Sequence, residues 1–268
     1  RNFRKILLTI LILYDIIKLG DFMNITYKDI TINYEYYEND SKINLVYLHG
    51  WGQNIEMMMP IAKPFIKRHN VLIIDLPGFG KSEEPKETWT IFDYVEMLNY
   101  ILNDLKIKNP IIIGHSFGGK VALAYGTKHK TNKLVLLASP YRKKIQKESL
   151  KLKTLKTLKK VPGLNKLENI AKKYIGSTDY KNASEKMRNI LVKHVNLDLT
   201  EELEKIKCPT LLIWGTEDTA VDYEDALYLE NKISNCGLVT YEGCTHYAYL
   251  ERANQTINVL RSFIGDDN

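Results

Sequence analysis

Ser116 stands between Gly114 and Gly118 in the stretch IIIGHSFGGKVALAYG, from Ile111 to Gly126. Three consecutive β-formers precede it and a helical pattern follows, so the serine falls on a sharp strand-to-helix turn. Such a turn projects a hydroxyl clear of the framework. Its strain requires neighbours two residues away on either side to be almost free of side chain. The helix that follows aims its first N–H groups at negative charge growing beside the hydroxyl. The pattern is the G-x-S-x-G nucleophile elbow, and the chemistry it serves is attack on an electrophilic carbon. The bland alternative, a glycine-rich turn with an idle serine, gives no reason for a strand before it and a helix after it.

A serine hydroxyl is a poor nucleophile near neutral pH and needs a base, itself oriented by a carboxylate. In folds with this elbow the chain order is serine, acid, histidine. Of the six histidines, His49, His69 and His115 precede Ser116, His129 lies at the far end of the elbow helix, and His194 lies in a basic segment. That leaves His246, in the polar loop Glu242-Gly243-Cys244-Thr245-His246 after the last apolar run. The acid belongs on the loop after the preceding run, Leu211 to Gly215. Asp218 is the choice there, with Glu217 and Asp222 close enough to compete. One donor for an oxyanion is the backbone N–H of Phe117. The second is assigned to the N–H of Trp51, in the loop Leu48-His49-Gly50-Trp51-Gly52, where Gly50 and Gly52 permit close backbone approach. The side chains of His49 and Trp51 are read as packing around the site.

These loops need a frame. Short continuous apolar runs recur at Ile43–Leu48, Val71–Ile74, Ile111–Ile113, Leu134–Leu137, Thr210–Trp214 and Leu238–Tyr241, as strands buried on both faces require. Helical patterns at Ile91–Leu105, Phe117–Lys128, Tyr223–Asn231 and Ala253–Ile264 lie between or after them. The alternation predicts a doubly wound, mostly parallel sheet. Ahead of it, Thr26–Glu38 alternates with Ile30, Ile32, Tyr34 and Tyr36 on one face, a half-buried antiparallel strand or hairpin. From Tyr141 to Asn196 no strand is evident and helical stripes such as Leu152, Leu155, Leu158 and Val161 appear, which predicts an all-helical insertion over the carboxyl end of the sheet, a lid. The expected organisation is therefore a core of 23–140 and 197–268 with a lid at 141–196.

The chain has 268 residues, 44% hydrophobic and 26% charged, which suits one large α/β domain and excludes disordered, collagen-like and coiled-coil classes. Its three cysteines show no metal spacing and are read as free thiols of a reducing, cytoplasmic setting, with no metal and no cofactor. The net charge of +6 is uneven: between 141 and 195 there are 16 Lys and Arg against 4 Asp and Glu, a surplus of +12 that leaves the rest at −6. A basic segment of this kind suits an acidic partner or surface, or simply a solvated helical face. Without a recognised module or aromatic platform it gives no case for nucleic acid. Residues 1–22, a basic start and a short apolar run interrupted by Asp15, are expected to be leader sequence ahead of a start at Met23. If retained, they leave room for weak membrane association.

The strings LVYLHGWG (45–52), DLPGFGKS (75–82), GHSFGG (114–119), LLIWGTED (211–218) and GCTHYAYLE (243–251) together resemble the α/β-hydrolase superfamily, in family order and over about 25–264. The resemblance implies an eight-stranded-type sheet with an inserted helical lid, the triad Ser116, Asp218 and His246, and an oxyanion hole of the Trp51 and Phe117 N–H groups. One departure is Asp222, where many relatives carry proline after a valine that Val221 would match. Ser116 separates the chain from haloalkane dehalogenases and epoxide hydrolases, which use an aspartate nucleophile. HGWG with DLPGFGKS is similar to the branch of pimeloyl-acyl-carrier-protein methyl ester esterases and carboxylesterases, whose partner is an acidic carrier protein. The implied activity is carboxylic ester hydrolysis. The alternatives are a lysophospholipid or monoglyceride lipase with Lys151–Val161 on anionic lipid, a C–C bond hydrolase, and a catalytically idle binding protein.

Overall fold

Residues 22–143 and 183–266 are described by the structure, a computed structural model. The leading strands are β1 (Phe22–Tyr27) and β2 (Ile30–Tyr37), then β3 (Asn44–Leu48), helix α1 (Ile55–Ala62), β4 (Asn70–Ile74) and α2 (Ile91–Asp104). The elbow follows as β5 (Ile111–His115) and α3 (Ser116–Lys128), then β6 (Lys133–Leu137) and α4 (Glu185–Asn196). The chain ends with β7 (Thr210–Gly215), α5 (Tyr223–Lys232), β8 (Cys236–Tyr241), α6 (Ala248–Glu251) and α7 (Ala253–Ile264). The strands form one eight-stranded sheet in the order β1-β2-β4-β3-β5-β6-β7-β8. The pairs β1/β2 and β2/β4 are antiparallel, and every other pair is parallel.

Each apolar run serves both faces of the sheet. In β3, Val46 and Leu48 join the core layer beneath α2, α3 and α5, while Leu45 and Tyr47 join the layer beneath α1 and α7. Leu134 and Leu136 of β6 take the first layer and Val135 and Leu137 the second. Continuous hydrophobicity is therefore the correct signature for these strands, and alternation for the half-buried hairpin at the edge. The hairpin turns at Lys28 and Asp29, both at positive φ (47° and 58°), which matches the right-handed twist of the strands they join. Its first strand opens at Phe22, paired with Glu35, so the sheet takes in the last residue of the segment expected to be leader. The rest of that segment, 1–21, lies outside the described residues.

Helix α1 is an element the sequence pattern did not reveal. Pro60 sits inside it and disguises a helix that Asn54 caps by accepting the Glu56 N–H, with Ile55, Met58, Ile61 and Ala62 buried. Of the expected lid, α4 and Tyr141–Lys143 are described; Lys151–Val161 and the stripe from Leu152 to Val161 lie outside the described residues. No helix among the described residues is long and apolar enough to cross a membrane.

One buried carboxylate ties the loops below the site together. Asp75, at the end of β4, accepts the Ile55 N–H at the start of α1 (2.8 Å) and the Asn33 amide of β2 (2.8 Å). It also accepts the Lys81 N–H (2.9 Å), and its carbonyl accepts the Ser82 hydroxyl (2.5 Å). This is the physical content of the DLPGFGKS string: a carboxylate that closes its own loop and anchors a helix. Asp75→Ala leaves three donors without their acceptor, and is expected to lower stability by about 3 kcal/mol, read as a fall in the urea midpoint at unchanged slope. A loss below about 0.5 kcal/mol would show that water or a neighbour satisfies these donors.

Candidate active site

The elbow holds Ser116 at φ 50°, in the left-handed region that side-chain-bearing residues avoid. The conformation is tolerated because β5 and α3 pack with nothing between them. A Cβ on Gly114 would lie 2.5 Å from the Gly118 carbonyl oxygen, and one on Gly118 would lie 2.5 Å from the carbonyl oxygens of Leu48 and His49. The second of these approaches is a joint as well as a gap, since the Gly118 N–H donates to the His49 carbonyl (3.1 Å) and ties the loop after β3 to the elbow.

That loop carries Trp51, and a buried histidine orients it. The Leu76 N–H can only donate, so His49 Nε2 accepts it (2.9 Å) and Nδ1 bears the proton, which it donates to the Gly50 carbonyl (2.7 Å). Burial lowers the His49 pKa to about 4 and keeps the ring neutral. The Gly50 carbonyl and the Trp51 N–H belong to one peptide unit, so gripping the oxygen aims the hydrogen. Gln53 adds a second grip, its N–H donating to the Gly50 carbonyl (3.2 Å) and its side-chain oxygen accepting the Gly50 N–H (2.9 Å). Gly52 turns the chain at φ 70°. The N–H of Phe117 lies in the first turn of α3, where no intrahelical acceptor exists. His49 therefore does more than pack, a role its residue type alone did not signal.

At the other end of the sheet, His246 Nδ1 donates to Asp218 Oδ2 at 2.8 Å. The Asp218 side chain is fully buried and that of His246 is 16% exposed. Asp218 Oδ1 accepts the N–H groups of Ala220 (2.8 Å) and Val221 (2.9 Å), which fixes the carboxylate. With Nδ1 donating, Nε2 keeps its lone pair and can take a proton. The competitors do not meet the ring: Glu217 is exposed and Asp222 is the exposed N-cap residue of α5. Asp222 has φ −60°, the angle proline imposes, so the backbone at this position would also accept proline. The acid and histidine loops are stitched by Thr216 N–H to the Tyr241 carbonyl (3.2 Å) and Glu217 N–H to the Cys244 carbonyl (2.9 Å).

His115, the residue before Ser116, connects the two halves. Its Nε2 donates to the His246 carbonyl (3.1 Å), and the two rings lie 4.8 Å apart between centroids. Burial lowers the His115 pKa to about 3. Among the described residues the His246 ring hydrogen-bonds Asp218 and not the Ser116 hydroxyl; hydrogen bonds of this kind are often long without substrate.

Residues 43–155 match the family model for the alpha/beta hydrolase fold. That match and the eight-stranded, mostly parallel sheet show an α/β-hydrolase fold. Among curated relatives, monoacylglycerol lipase ABHD6 of Mus musculus is 25% identical over 83% of this chain and 76% of its own. Proline iminopeptidase of Saccharolobus solfataricus is 27% identical over 88% and 89%. Among solved structures, a membrane phospholipase A described as a bacterial virulence factor superposes with TM-score 0.74 at 21% identity, over 98% of this chain and 91% of its own. A hydrolase of the α/β family is the common ground of lipase and peptidase relatives.

One further buried charge lies near the site. Lys120, on the elbow helix, donates from Nζ to the carbonyls of His194 (2.8 Å) and Leu197 (2.6 Å), where α4 ends. Burial lowers its pKa to about 8, opposed by the Asp198 carboxylate. The folded state thus binds this proton less tightly than the unfolded chain, where lysine titrates near 10.5. The penalty is complete below about pH 8 and relieved toward 10.5. Wild-type stability measured against Lys120→Met is expected to rise across that window. A difference flat from pH 8 to 10.5 would show that the lysine titrates normally.

Proposed function

We propose that the protein is a serine hydrolase that cleaves carboxylic esters through an acyl-enzyme intermediate. The observation that carries this reading is the buried Asp218 paired at 2.8 Å with His246, on loops that open at the same sheet edge as the strained Ser116 turn. Ser116 attacks the ester carbonyl as His246 Nε2 takes its proton, and Asp218 stabilises the resulting imidazolium. The oxyanion accepts hydrogen bonds from the Trp51 and Phe117 N–H groups, the former held in place by His49. His246 then protonates the leaving alkoxide, and water repeats the sequence on the acyl-enzyme. Every proton passes through one imidazole.

Esters rather than amides are favoured by the resemblance of HGWG and DLPGFGKS to an esterase branch and by the monoacylglycerol lipase among the relatives. The +12 surplus of 141–195 supports a lid that receives an acidic carrier protein or an anionic lipid surface.

A fluorophosphonate probe is expected to label Ser116 and to leave Ser116→Ala unlabelled. Asp218→Asn is expected to lower kcat on p-nitrophenyl esters by about 10³–10⁴ with KM little changed. Retention of activity within about tenfold would exclude Asp218 as the orienting acid. Separately, turnover of a carrier-protein ester or an anionic vesicle substrate should fall with added salt while that of a small soluble ester stays level. Equal salt response would remove the lid charge from substrate choice.

A further inference from the structure

His194 lies on the buried stripe of α4 with Met187 and Ile190, a stripe that an apolar residue would fill without penalty. It is 7% exposed, and among the described residues its Nδ1 has no hydrogen-bond partner. A buried unpaired nitrogen costs on the order of 1–3 kcal/mol. The surroundings hold it in that state. Its own carbonyl is clamped by Lys120, and its ring lies parallel to the Trp51 indole (centroids 6.5 Å apart, 9° between planes) and edge-on to Phe117 (4.8 Å, 77°). Trp51 and Phe117 are the two residues whose N–H groups are the candidate oxyanion donors. The His194 ring therefore packs against the side chains of both residues that carry those amides.

We propose that His194 determines specificity, its Nδ1 hydrogen-bonding a neutral hydroxyl that the ester substrate carries close to its scissile carbonyl. The inference deepens the esterase reading and rests on it. Burial and the nearby Lys120 charge lower the His194 pKa to about 3, so the imidazole is neutral at working pH. A neutral imidazole offers one N–H and one lone pair, and a hydroxyl satisfies either. It offers no charge to recruit a carboxylate. A site that leaves a polar atom unpaired without its ligand discriminates strongly against the analogue lacking the hydroxyl.

The hydroxyl can belong to the acyl or the alcohol part, and two substrate pairs separate these. One pair is p-nitrophenyl 3-hydroxybutyrate, each enantiomer, against p-nitrophenyl butyrate; the other is glyceryl monobutyrate against propyl butyrate. Wild type is expected to favour the hydroxylated member of one pair by about 10–100-fold in kcat/KM. His194→Phe should bring that ratio near one, while kcat/KM on the plain ester stays within about threefold and the melting temperature does not fall, because an unpaired buried atom has been removed. His194→Gln, which keeps a hydrogen-bonding group, should retain part of the preference. Absence of preference in both pairs for wild type overturns the proposal whether or not the variants fold, as does a preference that His194→Phe leaves intact. If wild type cleaves none of the four esters, the esterase reading fails and takes this inference with it.

Discussion

Holding a serine in the left-handed region costs about 1–2 kcal/mol, and nothing in the side chain of Ser116 offsets it locally. The cost is met by the contact between two backbones: the first turn of α3 lies against the end of β5 and against the loop after β3, with only hydrogen atoms at 114 and 118 to separate them. The same approach that strains Ser116 brings the Gly118 N–H to the His49 carbonyl. The elbow and the loop carrying Trp51 are thereby joined as one piece. The strain at Ser116 and the placement of the loop after β3 are consequences of one packing constraint, so neither can be relaxed without disturbing the other.

Four histidines around this piece do different work because their surroundings differ. His49 grips a peptide, His115 holds the backbone of the residue it faces, and His246 is paired with a carboxylate while retaining some exposure. The first two, with His194, are pushed by burial to low pKa and are confined to neutral roles. His246 keeps more exposure than the other three.

The parts of the site that a reader can find in the bare chain are those whose residue types are unusual for their place. Ser116 between glycines after a strand, and His246 and Asp218 on loops that follow apolar runs, announce themselves because loops rarely combine those types at that spacing. Glu217 and Asp222 could not be separated from Asp218 in that way, since the distinction lies in which carboxylate the Ala220 and Val221 amides enclose, a matter of three-dimensional path. The central strands were legible because burial on both faces leaves no alternation to misread. Helix α1 was hidden by Pro60, and the supporting roles of His49, His115 and Lys120 by the ordinariness of a histidine or lysine in sequence. Their function resides in partners contributed by distant segments, such as Lys120 with a carbonyl 74 residues away.

Strands β6 and β7 are direct neighbours, Leu134 beside Thr210 and Leu137 beside Ile213, although more than seventy residues separate them along the chain. The excursion between them leaves at the carboxyl end of β6 and re-enters at the amino end of its parallel neighbour, one strand length back along the sheet. Loop-closure entropy grows only with the logarithm of length, so lengthening, shortening or exchanging that excursion hardly taxes the sheet. The sheet is thus a socket: the segment between β6 and β7 can be exchanged while the strands on either side keep their pairing.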